Sequence, residues 1–237
     1  MATSGDPADL GAAEPADRPR RPSTAVVAAL ASVGLAVLVL GGVLWWRSQR
    51  PTGPHHVVVI GDSVTYASSP AIFDRFEGEA DVQITSRPFY RAIDLVEPFD
   101  DAIAARREAG EDLDRAIVLA GYNDVIRSDR DPSGLPEMLD RADRFDCAVW
   151  LTLPARPGGR SADRGDFPPD EAAAWNERVR AEAESRPHVH VSDEWQRTVE
   201  APGGERLLQD DGVHPVRAGH VALAAAMDRA LADECGG

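Results

Sequence analysis

Five short runs rich in β-branched and apolar residues recur along the chain, at 56–60, 82–86, 116–120, 147–153 and 188–192. They read as strands, and stretches with helical periodicity separate them. Residues 91–107 place Ile93, Leu95, Val96, Phe99, Ile103 and Ala104 on roughly one helical face. Further helices are expected at 135–144, 170–185 and 217–233, the last closing the chain. Strands alternating with helices predict an α/β domain whose parallel sheet is covered on both sides. No internal repeat is visible.

The region before the first strand divides in three. Residues 1–23, rich in Ala, Pro, Asp and Arg without hydrophobic periodicity, read as a disordered tail. Residues 24–46 form 23 positions without a charge, enough to span a bilayer, ending in Trp45 and Trp46 at the interface and closed by Arg47. The run exceeds a signal-peptide core, and no small-x-small cleavage site follows it closely, so it reads as an uncleaved single-pass anchor. Arg18, Arg20 and Arg21 precede it against Arg47 and Arg50 after it, which points to a cytoplasmic N-terminus and an extracytoplasmic domain. A Pro/Gly linker at 47–54 leads to the domain at 55–237.

The formal net charge is −15, and all 25 basic residues are arginine. Such an acidic surface argues against nucleic acid as a partner, because a phosphate backbone requires a basic footprint. Cys147 and Cys235 are too few for a disulfide framework and lack metal spacing. One bridge between them and two unpaired thiols are equally compatible readings.

Three segments carry chemistry. The first strand ends in Gly61-Asp62-Ser63-Val64, which stands a serine at the carboxyl end of a parallel strand and the start of a helix. Open α/β sheets bind ligands there, and the helix dipole favours developing negative charge. The third strand ends in Gly121-Tyr122-Asn123-Asp124, a tight turn whose asparagine amide can donate into the same crevice. Just before the last helix comes Asp211-Gly212-Val213-His214-Pro215. A three-residue offset lets the Asp211 carboxylate reach the His214 Nδ1–H, which leaves Nε2 free to take a proton from a serine. Taken singly, each segment also reads as a helix cap, an Asx-turn or a surface turn.

Taken together and in this order, the segments resemble the GDSL/SGNH hydrolase superfamily, over roughly residues 57–231. The resemblance implies a flavodoxin-like three-layer α/β/α sandwich with a five-stranded parallel sheet. It also implies a serine esterase that acts through an acyl-enzyme. Ser63 would be the nucleophile, His214 the general base and Asp211 its orienter. The Ser63 amide and the Asn123 side chain would form the oxyanion hole. One block departs from the family pattern: Arg87-Pro88-Phe89-Tyr90 stands where a glycine should donate a backbone N–H, and Phe89 aligns with that glycine. A bulky residue resists a positive φ and narrows the approach to the crevice.

The implied substrate is an O-acyl ester on a cell-envelope glycan or lipid. The other readings are a noncatalytic envelope-binding module of the same fold and an O-acyltransferase with the same triad. An ordinary α/β-hydrolase elbow needs Gly-x-Ser-x-Gly, and position 65 is threonine. No cofactor and no metal are expected, since His55 with His56 and His188 with His190 lack a partnering ligand cluster. His188 and His190 read as ordinary strand positions and His220 as an exposed helix position. The loop at 154–169 follows the fourth strand and should overhang the crevice, where Arg156, Arg160 and Arg164 would attract an anionic or sugar substrate, or simply be solvated.

Overall fold

The sheet is built from β1 (His55–Gly61), β2 (Ala80–Ser86), β3 (Arg115–Leu119), β4 (Cys147–Leu151) and β5 (Val189–Ser192), all parallel and ordered β2-β1-β3-β4-β5. This computed structural model describes residues 55–127, 134–155 and 167–236. The expected tail, apolar span and linker at 1–23, 24–46 and 47–54 lie outside them, as do Arg156, Arg160 and Arg164. Among the described residues no helix is long and apolar enough to cross a membrane.

Strands covered on both faces have no polar side to alternate with. Residues 57–60 and 116–119 are accordingly apolar throughout and at most 1% exposed. β2, at the sheet edge, keeps most of its residues only half-buried. The helices are α1 (Ser63–Phe76), α2 (Ala92–Glu108), α3 (Tyr122–Ile126), α4 (Leu135–Ala142), α5 (Pro169–Ala183), α6 (Glu194–Glu200) and α7 (Arg217–Cys235). The sheet grows from β1 in one direction through α1 and in the other through α2, α4 and α5. Right-handed crossovers therefore send α1 to one face and the other three to the opposite face. The vacant half of α1's face is filled by α7, which packs on α1, with α6 beside it.

The reversal of strand order falls between β1 and β3, whose carboxyl ends Gly61 and Leu119 are paired in register. A crevice opens at such a switch point, and ligands bind there. The segments leaving these two strands are the Ser63 and Asn123 segments.

Cys147 at the start of β4 and Cys235 at the end of α7 are joined by a disulfide, with Cα atoms 5.8 Å apart and a sequence separation of 88. The bridge ties the last helix to the sheet. A loop of that length lowers unfolded-chain entropy by about 4–5 kcal/mol in the chain-entropy account. Reduction, or Cys147→Ser with Cys235→Ser, should lower the urea-unfolding free energy by about 2–5 kcal/mol. An unchanged urea midpoint under reductant would contradict a stabilising bridge.

Candidate active site

Ser63 is the first residue of α1, and its amide therefore has no acceptor in a preceding helical turn. The residue before it, Asp62, is the N-cap: its Oδ1 accepts from the Val64 N–H at 3.1 Å. Asp62 is wholly buried, and Oδ2 has no hydrogen-bond partner among the described residues. Burial raises its pKa to about 7, opposed by the Val64 amide and reinforced by the nearby Asp124 carboxylate.

His214 lies on the loop entering α7. The base of that loop is closed by a bridge between Leu208 and Pro215, and the Gln209 N–H donates to the His214 carbonyl at 2.7 Å. Asp211 shapes the turn with one oxygen and addresses the imidazole with the other. Its Oδ1 accepts the amides of Val213 at 2.9 Å and His214 at 3.0 Å, and its Oδ2 lies 2.7 Å from His214 Nδ1. Burial pushes the Asp211 pKa up, but those amides and the imidazole together hold it below the usual carboxylate value. His214 Nε2 is 2.9 Å from Ser63 Oγ. A hydroxyl, an imidazole and a carboxylate thus form one hydrogen-bonded chain across 151 residues of sequence. The His214 and Asp211 side chains keep 36% and 40% of their surface exposed, so a substrate can reach them.

Asn123 enters the same crevice through a turn that only glycine fits. Gly121 has φ of +122°, and a Cβ there would lie 2.3 Å from the Trp175 indole nitrogen. Asn123 is buried, and its side-chain amide donates to the Tyr90 carbonyl at 2.9 Å. That bond commits one amide hydrogen to the loop after β2 and leaves the second unassigned. Asp124 caps α2 by accepting the Ala92 amide at 3.0 Å. Burial raises its pKa to about 6, against that hydrogen bond.

The segment without the glycine is a turn of type II character. Pro88 occupies the second position, Tyr90 N–H reaches the Arg87 carbonyl at 3.4 Å, and Phe89 stands where glycine is usual. Contrary to the expectation that phenylalanine would resist it, Phe89 has φ of +68°, the only positive φ at a non-glycine among the described residues. The residue is 72% exposed, and its N–H has no partner among the described residues. The proline and the Asn123–Tyr90 bond impose the conformation on a residue that disfavours it by roughly 1–2 kcal/mol.

Two histidines stand elsewhere than the sequence pattern predicts. His220 is half-buried rather than exposed, and its Nδ1 is 2.8 Å from the fully buried Ser68 Oγ. His188 lies outside β5 and is exposed, whereas His190 is within the strand. At the other end of the sheet His56, Asp81 and Glu111 come together, a cluster their wide spacing concealed. The Arg106 guanidinium fills its centre, 2.6 Å from Asp81 and 2.7 Å from Glu111, and so supplies the positive charge a cation would bring.

The Asp62 carboxyl sets a pH dependence. Its folded-state pKa of about 7 exceeds the ordinary 3.8, so the folded state holds the proton more tightly than the unfolded one. Stability from this group is therefore full below pH 4 and lost as pH rises towards 7, a change on the order of 4 kcal/mol. Asp62→Asn should remove that slope and raise the urea midpoint at pH 8. An unaltered pH profile of unfolding would contradict the buried, protonated carboxyl.

No known family model matches the sequence, and no curated protein matches it. Solved structures do. The lipase/acylhydrolase from Enterococcus faecalis superposes with a TM-score of 0.60 at 17% identity, covering 75% of this chain and 95% of its own. A psychrotrophic esterase from Pseudoalteromonas sp. gives 0.56 at 12% identity, covering 76% and 97%. The catalytic domain of peptidoglycan O-acetyltransferase A from Streptococcus pneumoniae gives 0.50 at 16% identity, covering 76% and 94%. The fold of this chain is therefore that of known lipase/acylhydrolase, esterase and O-acetyltransferase structures.

Proposed function

We propose that the protein is a serine hydrolase that cleaves an O-acyl ester. The observation carrying this reading is the continuous chain from Ser63 Oγ through His214 to Asp211, at 2.9 and 2.7 Å. His214 Nε2 takes the Ser63 proton as Oγ bonds to the ester carbonyl carbon, and Asp211 holds the imidazolium that forms. The tetrahedral oxyanion is met by the Ser63 amide, the free hydrogen of the Asn123 amide and the Phe89 amide. His214 then returns the proton to the departing alcohol, leaving an acyl-Ser63. Water, deprotonated by the same imidazole, releases the acid and restores the serine.

Two observations bear on location. A disulfide belongs to an oxidising compartment, and the charge-free run at 24–46 with its arginine flanks suits a single-pass anchor with the domain outside. We accordingly read the substrate as an acylated glycan or lipid of the cell envelope. A second reading, O-acyl transfer to a sugar hydroxyl, is favoured by the similarity to the O-acetyltransferase domain. The noncatalytic alternative is weakened by the intact hydrogen-bonded chain.

The purified full chain, assayed on acetyl, butyryl and long-chain p-nitrophenyl esters with and without a sugar acceptor, separates these readings. Acid release without acceptor dependence supports hydrolysis. Acylated acceptor as the main product would replace hydrolysis by transfer. No turnover of any ester, with no acylation of Ser63, would overturn both.

A further inference from the structure

Helices α1 and α7 run side by side in the same direction, and polar contacts step down the pair. Ser63 meets His214 at 2.9 Å, Ser68 meets His220 at 2.8 Å, and Arg75, near the far end of α1, meets Asp228. The first contact is the nucleophile with its base. The second has no part in the chemistry described above, yet it joins the same two segments about 7.5 Å further along α1.

Two other contacts hold α7, the exposed Arg75–Asp228 ion pair and the Cys147–Cys235 disulfide, and both lie C-terminal to His220, away from the catalytic loop. The face of α7 turned to the core is Leu223, Ala224, Ala226, Met227, Ala230 and Leu231. Apolar burial is non-directional, and alanine-rich ridges interlock shallowly. By contrast, a hydrogen bond from a side chain with 0% exposure is directional and short-ranged. The His214 loop moves with α7, because it is packed onto that helix's first turn. A Cβ on Gly219 would lie 2.0 Å from the Leu207 carbonyl oxygen and 2.9 Å from Pro215 Cβ, and the Val216 N–H donates to Leu207 at 2.8 Å. Any slide of α7 along α1 is thus transmitted to the Ser63–His214 distance. Burial, and then the proximity of His214, keep the His220 pKa below its usual value.

We propose that Ser68 and His220 are a positioning pair that sets the distance between the nucleophile and its base. The proposal rests on the hydrolase reading for its kinetic consequence, whereas its geometric consequence stands apart from it. Misplacement of reacting groups by about 1 Å can lower a rate 100-fold. Ser68→Ala and His220→Leu should therefore lower kcat for p-nitrophenyl acetate, and the rate of fluorophosphonate labelling of Ser63, by about 10- to 100-fold. KM should change by less than about twofold, because the pair touches no substrate. His220→Asn, whose amide can reach the position of Nδ1, should recover the rates to within about threefold. Arg75→Met, which breaks an exposed ion pair, should leave them within about twofold.

The full chain is used throughout, with melting temperatures recorded for all four variants and a crystal structure of Ser68→Ala or His220→Leu. A lengthened Ser63–His214 contact with selective loss of kcat supports the pair. An unchanged 2.9 Å contact, or rates that merely follow melting temperature across all variants including Arg75→Met, would overturn it. A wild-type protein that neither labels nor hydrolyses would instead overturn the hydrolase reading, and the contact distance would still decide the positioning claim.

Discussion

Ser63→Ala and His214→Ala are each expected to lower kcat for ester hydrolysis by about 10⁴-fold or more, with the double variant little worse than either alone. The serine supplies the bond that forms and the histidine the proton transfer that makes it possible. Either loss ends the same step, so the effects do not add. Among the described residues Ser63 Oγ is the only hydroxyl hydrogen-bonded to His214 Nε2, and the buried Ser68 is paired with His220. Asp211→Asn is expected to be severe as well, because Oδ2 fixes the imidazole tautomer while Oδ1 holds the turn at Val213 and His214. Measured kcat on a p-nitrophenyl ester, with melting temperatures to exclude unfolding, checks all four variants. Turnover within tenfold of wild type in Ser63→Ala would refute the mechanism.

Asn123→Ala should lower kcat by about 10²–10³-fold, the usual effect of losing one oxyanion donor. It should also loosen the loop after β2, since the same amide holds the Tyr90 carbonyl. Phe89→Gly provides the contrast. If phenylalanine held its amide away from the crevice, glycine would turn it inward and raise kcat. Phe89 already has the positive φ a glycine would adopt, so kcat should stay within about threefold. The relief of roughly 1–2 kcal/mol of backbone strain should be largely offset by the entropy of the added glycine. A tenfold rise in kcat for Phe89→Gly would mean that the native amide is out of place.

Periodicity exposed most of the architecture. The five runs became five parallel strands: β1, β3 and β4 carry continuous apolar runs because both their faces are buried, and the edge strands β2 and β5 show through alternating β-branched residues. The helical stretch at 91–107 matches α2 within one residue at each end. The short helices α3 and α6 left no pattern, since five and seven residues are too few for a periodic signal. The local motif at Asp211 and His214 was legible because both partners lie on one turn. Contacts across 152 residues, such as Ser68 with His220, and the gathering of His56, Asp81 and Glu111 around Arg106, depend on tertiary packing and leave no trace in spacing. Phe89 shows a different limit. Propensity argued against a positive φ, and a preceding proline together with the Asn123 bond outweighed it.

The central claim is that Ser63 becomes covalently acylated, and peptide mapping after reaction with a fluorophosphonate tests it most directly. The account predicts a single adduct, on the peptide carrying Ser63, absent in Ser63→Ala and greatly slowed in His214→Ala. An adduct on another residue, or ester hydrolysis that proceeds with Ser63 unmodified at saturating reagent, would contradict it.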